Sequence, residues 1–231
     1  MSLLTIAQTV LRETGKWQVP STIVGNNDPT AVQMLVLANR TGRTIAQDHR
    51  WSSLLVDYTF NTAVSTVAYE VPDDFSRFAS LTFWDNSNDT RVRGPVSAAQ
   101  WQYLNSSGLG GASVFDKAFR IAGGQFSIYP TPTAIEVIAY QYWTRNWVTG
   151  DKAAFDDDDD TTLIDEDLII LGVKWRWLQA KGDAFENEKL EFMQRLDSLK
   201  GADGGRDMLR FGQQLLIGDE AGNLPESGYG L

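Results

Sequence analysis

TTLIDEDLIILGVKWRWLQAKGDAFENEKLEFMQRLDSLK, residues 161–200, holds the longest helical pattern in the chain. Leu168, Leu171, Trp175, Leu178, Phe185, Phe192, Leu196 and Leu199 recur at three and four residues, which sets them on one helix face. Thr162 is placed to cap the start, and Asp165, Glu166 and Asp167 fall in the first turn, where the helix dipole favours negative charge. A continuous helix from Leu163 to Leu199 would be roughly 55 Å long at about 1.5 Å per residue. Gly182 is the point at which it can break or kink.

The other end of the chain is also helical. Ser2 can cap a helix over 2–14 whose Leu3, Ile6, Ala7, Val10 and Leu11 share a face, and Gly15 can end it. Asp28-Pro29 is a strong helix start, with Asp at the N-cap and Pro at the first helical position. The helix it opens runs to about Arg50, with Val32, Leu35, Val36, Ile45, Ala46 and His49 expected on the buried face and Gly42 interrupting.

Between these ends the period becomes two. Leu54 to Phe60 and Ala63 to Val71 read as strands, with Val67, Tyr69 and Val71 alternating with polar or small neighbours. Pro72-Asp73-Asp74 is a turn, and Phe78 to Trp84 reads as a further strand. After Gly94-Pro95, Ser97 can cap a short helix through Trp101 and Leu104. Ala118 to Ala122, Gly123-Gly124 and Gln125 to Tyr129 make a hairpin with a two-residue turn, and Ile135 to Trp143 is a last strand. The fold class expected is therefore α+β. A helical bundle comes from 1–50 and 151–200, with a β-rich insertion at 51–150. Residues 201–231 hold eight of the 20 glycines and read as a flexible C-terminal arm that orders on a partner.

The chain has 231 residues and no cysteine, which excludes disulfide scaffolds, thiolate metal sites and cysteine nucleophiles. One histidine, His49, excludes a multi-histidine metal site within one chain. At its buried-face spacing, a structural histidine is favoured over a general base. No signal peptide or membrane span is read at the N-terminus, and no membrane insertion is expected.

Net charge is -10, but residues 151–170 alone hold nine acids and one base, leaving -2 for the other 211 residues. No Lys/Arg cluster stands out, so sequence-specific DNA binding is not expected. The run Asp156, Asp157, Asp158, Asp159, Asp160 is the one conspicuous charged feature. An EF-hand counted from Asp156 would need Gly at 161 and Glu at 167, where Thr161 and Asp167 stand. A solvated linker is the favoured reading of the run over a weak cation site. Gly108, Gly110 and Gly111 do not follow a strand and open a helix, so no phosphate loop is read there. Eight Trp and seven Tyr could line a sugar groove, but no carboxylate pair is singled out by spacing. No catalytic or metal residue and no cofactor is expected.

An ordered set of pieces carries a resemblance. It begins with Pro72-Asp73-Asp74-Phe75-Ser76-Arg77-Phe78 leading to Trp84-Asp85, followed by Gly94-Pro95 with Trp101. Next come Phe119-Arg120-Ile121 with Phe126-Ser127-Ile128-Tyr129-Pro130-Thr131-Pro132, and Tyr140 through Asn146-Trp147. It closes with Asp157 to Thr162, Asp165-Glu166-Asp167-Leu168, Leu171-Gly172, Lys174-Trp175-Arg176 and Lys181-Gly182. In this order they resemble the head-to-tail adaptor (connector) proteins of tailed bacteriophages.

The resemblance implies a structural virion protein, not an enzyme, located at the head–tail interface and assembled in the host bacterial cytoplasm. Such adaptors form a homo-oligomeric ring, usually of twelve copies, under the portal protein. They extend the channel for double-stranded DNA and dock a downstream tail or nozzle protein. A terminal arm commonly reaches the portal, and here its candidates are Arg206, Met208, Leu209, Arg210, Phe211, Leu215, Leu216 and Ile217. In a ring the acidic run would either line the lumen, repelling DNA phosphates, or stand outside as a solvated loop. The alternative function is a tail-associated carbohydrate-binding or glycan-cleaving protein. A tail-completion protein of the same assembly is a third reading.

Overall fold

The structure, a computed structural model, describes residues 1–16, 18–106 and 117–204. The arm candidates from Arg206 to Ile217 lie outside the described residues, as do Trp17 and Gly108, Gly110 and Gly111. The described part is mixed α+β with five α-helices and antiparallel sheets.

Helix α1 (Leu3–Glu13) starts where Ser2 accepts a hydrogen bond from the Thr5 amide, and it buries Leu3, Ile6, Ala7, Val10 and Leu11 as expected. Helix α2 (Pro29–Asp48) is capped by Asp28, whose Oδ1 accepts from the Thr30 amide at 2.6 Å. Its buried residues are Ala31, Met34, Leu37, Ala38, Thr41, Gly42 and Ile45. Val32 and Val36, expected inside, are 47% and 59% exposed. The reason lies opposite them: the Trp147 ring packs so closely that a Cβ on Gly42 would come within 2.1 Å of it. The contact requires glycine at 42 and so fixes this side of α2, with Met34, Leu37 and Ile45, as the inner face, leaving the valines outside.

The long helix of residues 161–200 is two helices, α4 (Glu166–Lys181) and α5 (Glu186–Asp203). Gly182 has φ +78°, and its own amide and that of Asp183 turn back to Gln179 O and Leu178 O, so the chain reverses there. The cap of α4 is Asp165, accepting from the Leu168 amide at 2.9 Å. Thr162 instead accepts from Ile164 within the preceding turn. Helix α4 touches α1, α2 and α5 and so buries more than one stripe: Leu168, Ile169, Gly172, Val173, Arg176 and Trp177. The expected stripe of Leu171, Trp175 and Leu178 is only partly buried. Helix α5 runs to Asp203, three residues into the segment read as the arm.

After a 3₁₀ turn at Ser52–Leu54, strand β1 (Leu55–Asn61) pairs with β8 (Val137–Thr144), Tyr58 facing Tyr140. Strand β2 (Ala68–Glu70) is shorter than the alternation of residues 63–71 implied. Residues 78–84 are not one strand. β3 (Phe75–Phe78) and β4 (Trp84–Asp85) each pair with β8, and β5 (Thr90–Arg91) pairs with β4. Between β3 and β4, Leu81 takes φ +71° and Thr82 Oγ1 accepts from the Gln141 amide, replacing a ladder bond with a side chain.

Helix α3 (Ala98–Ser106) opens with a reciprocal cap: Ser97 Oγ accepts from the Gln100 amide and Gln100 Oε1 from the Ser97 amide. Strands β6 (Ala118–Ala122) and β7 (Gln125–Tyr129) form the expected hairpin and join β2 in the order β2-β7-β6.

Two apolar cores result. One gathers the helices with Trp51, Trp147, Val148 and Phe155, and the other is aromatic. In the second, Phe83 stacks on Phe119 at 4.3 Å and on Tyr140 at 5.2 Å, tying the two sheets together. Trp51 and Trp147, which flank the β-rich segment, both lie in the helical core.

Candidate functional site

The acidic run is not a loose linker. Phe155, just before it, is buried, and its amide and carbonyl both bond the Asn39 side chain on α2. Asp158 turns inward, and its Oδ1 accepts from the Ile23 and Val24 amides at 2.9 and 2.8 Å. The carbonyls of Asp158 and Asp160 accept the Leu4 and Leu3 amides, orphan donors at the start of α1. Asp160 is 9% exposed, and its carboxylate takes the amides of Asp156 and Asp157 and the Lys152 ammonium.

Burial works against the Asp160 charge. The Lys152 and backbone hydrogen bonds outweigh it, and the Asp160 carboxyl sits below its ordinary range. Asp156 and then Asp160 hold the Lys152 ammonium above its ordinary range. Five like charges thus divide by role. The Asp158 carboxylate clasps the 23–24 segment and the Asp160 carboxylate ties its own loop together, while Asp156, Asp157 and Asp159 remain exposed. Asp156 is paired with Lys152, and Asp157 accepts the Asp159 amide. No group of three or more His, Cys, Asp or Glu side chains among the described residues is arranged to hold a metal ion.

His49 ends α2. Its Nε2 lies 3.4 Å from Asp203 Oδ2 and its ring meets Trp51 edge-on at 4.9 Å. Asp203 accepts a hydrogen bond from the Ser52 amide at 2.9 Å. His49 therefore joins the end of α5 to the entrance of the β region, a structural position.

Arg176 is the unusual charge of the helical core. It is 9% exposed, Nη1 donates to Gly172 O at 2.9 Å, and the guanidinium lies over Trp175 at 4.4 Å and Phe192 at 5.8 Å. Burial, with the Arg40 charge adding to it, pushes its pKa down to about 10. Neither Arg40 nor Arg176 has a carboxylate within 4.0 Å among the described residues.

A second buried charge is compensated. Asp85, fully buried, accepts from the Ser87 and Asn88 amides and Asn88 Nδ2, and pairs with Lys117, which also meets Glu136 at 2.6 Å. Burial raises the Asp85 carboxyl, yet the hydrogen bonds from Asn88 and Lys117 bring it below its ordinary range. The cluster pins the start of β6 against the β4–β5 turn.

The tryptophans are absorbed into packing. Trp51, Trp101, Trp147 and Trp177 are buried and Trp84, Trp143 and Trp175 partly so. An open groove of about 440 Å³ beside Tyr58, Leu81, Trp84 and Gln141 is lined by one indole and a single carboxylate, Asp57. Sequence reasoning missed the inward pair Asp158 and Asp160, the Gly42–Trp147 contact, and Arg176 with Arg40. Phe155 beside the acidic run was the signal that this segment packs, since an aromatic seldom opens a solvated linker.

Caps, clasps and packed aromatics of this kind hold the fold together, and among the described residues they leave no cluster arranged as a metal site. A family model described as SU10 adaptor protein matches residues 1–214. The chain belongs to that family, and it is a phage head-to-tail adaptor, a structural virion component of the head–tail junction, where the family interacts with portal and tail proteins. The family is not typically enzymatic. A search of curated proteins finds no match. No helix among the described residues is long and apolar enough to cross a membrane.

Proposed function

We propose that the chain assembles into a closed ring, dodecameric as is usual for such adaptors, under the portal protein, where it extends the DNA channel and docks the next tail or nozzle protein. The helices of 1–50 and 151–200 form the ring wall, the β-rich 51–150 is an insertion in it, and assembly takes place in the host bacterial cytoplasm. Family membership over residues 1–214 is the observation that carries this reading. The outward apolar residues Val32 and Val36 on α2 and Leu190 and Met193 on α5 support it, because a ring protomer needs apolar surface that a monomer does not. Residues 205–231, with Arg206, Met208, Leu209, Arg210, Phe211, Leu215, Leu216 and Ile217, supply the contact with the portal.

The test is molar mass by light scattering, for the protein alone and mixed with its phage's portal ring. A complex with one copy per portal subunit is expected; a chain that stays monomeric beside the portal overturns the reading. Deletion of 205–231 leaves α5 and its Asp203 contacts intact, so a folded protein that no longer joins the portal is expected. Normal binding by the truncated chain would move the portal contact to the helices.

A further inference from the structure

Arg176 is a nine-tenths-buried cation whose contacts among the described residues are the Gly172 carbonyl and the rings of Trp175 and Phe192; Lys189 shares the Trp175 ring, and Thr41, the neighbour of Arg40, closes on Gly172 one turn before Arg176, so the charges gathered there are other cations. A buried cation of this kind calls for an anion. Arg40, on the turn of α2 that packs against Gly172, is exposed, so the pair is approached from solvent through Arg40. Val36, one turn before Arg40, and Met193, beside Phe192, are 59% and 50% exposed. Helices α2 and α5 thus each carry an exposed apolar side chain here, and Arg40 adds an exposed cation, in a chain whose net charge is -10.

The matching surface is on the same chain. Asp157 and Asp159 project from a segment whose backbone is fixed by Asp158, Asp160 and Phe155. Such carboxylates dock at little entropic cost because the loop is already ordered. The acidic segment lies along the Asn39 flank of α2, through Phe155, whereas Arg40, the next residue, opens about 100° further round the helix beside Arg176. One protomer therefore carries an acidic and a basic patch on different flanks. That is the requirement for a head-to-tail contact, in which one face meets a different face of the next copy.

We infer that the carboxylates of Asp157 and Asp159 of one copy dock on the Arg40–Arg176 pair of the next. The inference rests on the ring reading above. Val36 and Met193 give the contact an apolar border, which distinguishes it from a surface tracking DNA phosphates. The acidic loop is then seated between copies and does not line the channel.

The absence of cysteine makes the test direct. The double variant Arg40→Cys with Asp159→Cys, oxidised in assembled rings, is expected to give a ladder of covalent multimers on a reducing-agent-free gel, and each single variant no species beyond a dimer. Charge reversal is the second arm. Arg40→Glu alone and Asp157→Lys with Asp159→Lys alone are each expected to weaken ring formation at least tenfold, and their combination to recover it. All three positions are exposed, and circular dichroism checks that each variant folds. Rings that form without a ladder, or that tolerate both single reversals, overturn this contact and leave the ring reading standing. A wild-type chain that never oligomerises, alone or with the portal, overturns both. Reversals that spare assembly but alter DNA release overturn the contact and return the charges to the channel.

Discussion

Replacing Gly42 with alanine drives one methyl group into the face of Trp147. The new Cβ would lie 2.1 Å from Cη2 and 2.3 Å from Cζ2 and Cζ3, where carbon contacts prefer about 3.5–4.0 Å. The ring has little room to retreat. Trp147 is fully buried, its Nε1 donates to Ala153 O at 2.8 Å, and it packs edge-on against Phe155 at 4.7 Å. Overpacking of a fixed core costs about 1–3 kcal/mol, and this site belongs at the upper end because both walls are anchored. Alanine returns about 1 kcal/mol of helix propensity. The net expectation is a loss of about 2 kcal/mol, a fall in Tm of about 4–8 °C for a chain of this size. Urea and thermal unfolding followed by far-UV circular dichroism measure it. Gly201→Ala in α5 is the control, because its Cβ meets nothing within 4 Å; it should be neutral or stabilise by up to about 1 kcal/mol. A Gly42→Ala protein as stable as the wild type would show that the ring does not define the inner face of α2.

Asp158→Ala strips the acceptor from two amides and should cost about 2–3 kcal/mol in urea unfolding, while Asp159→Asn, exposed and without a side-chain partner among the described residues, should stay within about 0.5 kcal/mol; equal effects would refute the clasp. Gly182→Ala forces a side chain into φ +78° and should cost about 1–2 kcal/mol, with no loss expected only if α4 and α5 can rejoin as one helix. Asp85 is held below the ordinary carboxyl range, so it binds a proton less readily folded than unfolded. The stability it contributes is complete above the unfolded value and is lost as pH falls through the folded one, below about 4. Asp85→Asn should therefore be less stable at neutral pH and show a shallower acid limb; parallel acid limbs would sink the assignment.

The local signals proved readable because their physics is local. Ser2 and Asp28-Pro29 satisfy amides two or three residues away, the Gly123-Gly124 turn closes a hairpin between adjacent strands, and Gly182 alone can take the left-handed turn that ends α4. These features, with the fold class and the ordered pieces of the adaptor pattern, were legible in the chain by itself. The faces of α2 were not. Its inner side holds the apolar Met34, Leu37 and Ile45 beside the small Ala31, Ala38, Thr41 and Gly42, while Val32 and Val36 stand outside; only the approach of Trp147, from more than a hundred residues away, shows that small size is needed at Gly42. The acidic run shows the same limit. Five aspartates in sequence repel one another and read as solvated, but the folded chain brings the amides of residues 23 and 24 to the Asp158 carboxylate and folds the loop so that Lys152 and the amides of Asp156 and Asp157 meet the Asp160 carboxylate, and those donors turn two of the five into anchors. Arg176 likewise looks like one more helix-surface cation until α2 and α5 close over it. Sequence spacing determines which elements form, whereas the partners that decide which side of each is buried, and which charge is left without a counter-ion, are brought together only by the folded chain.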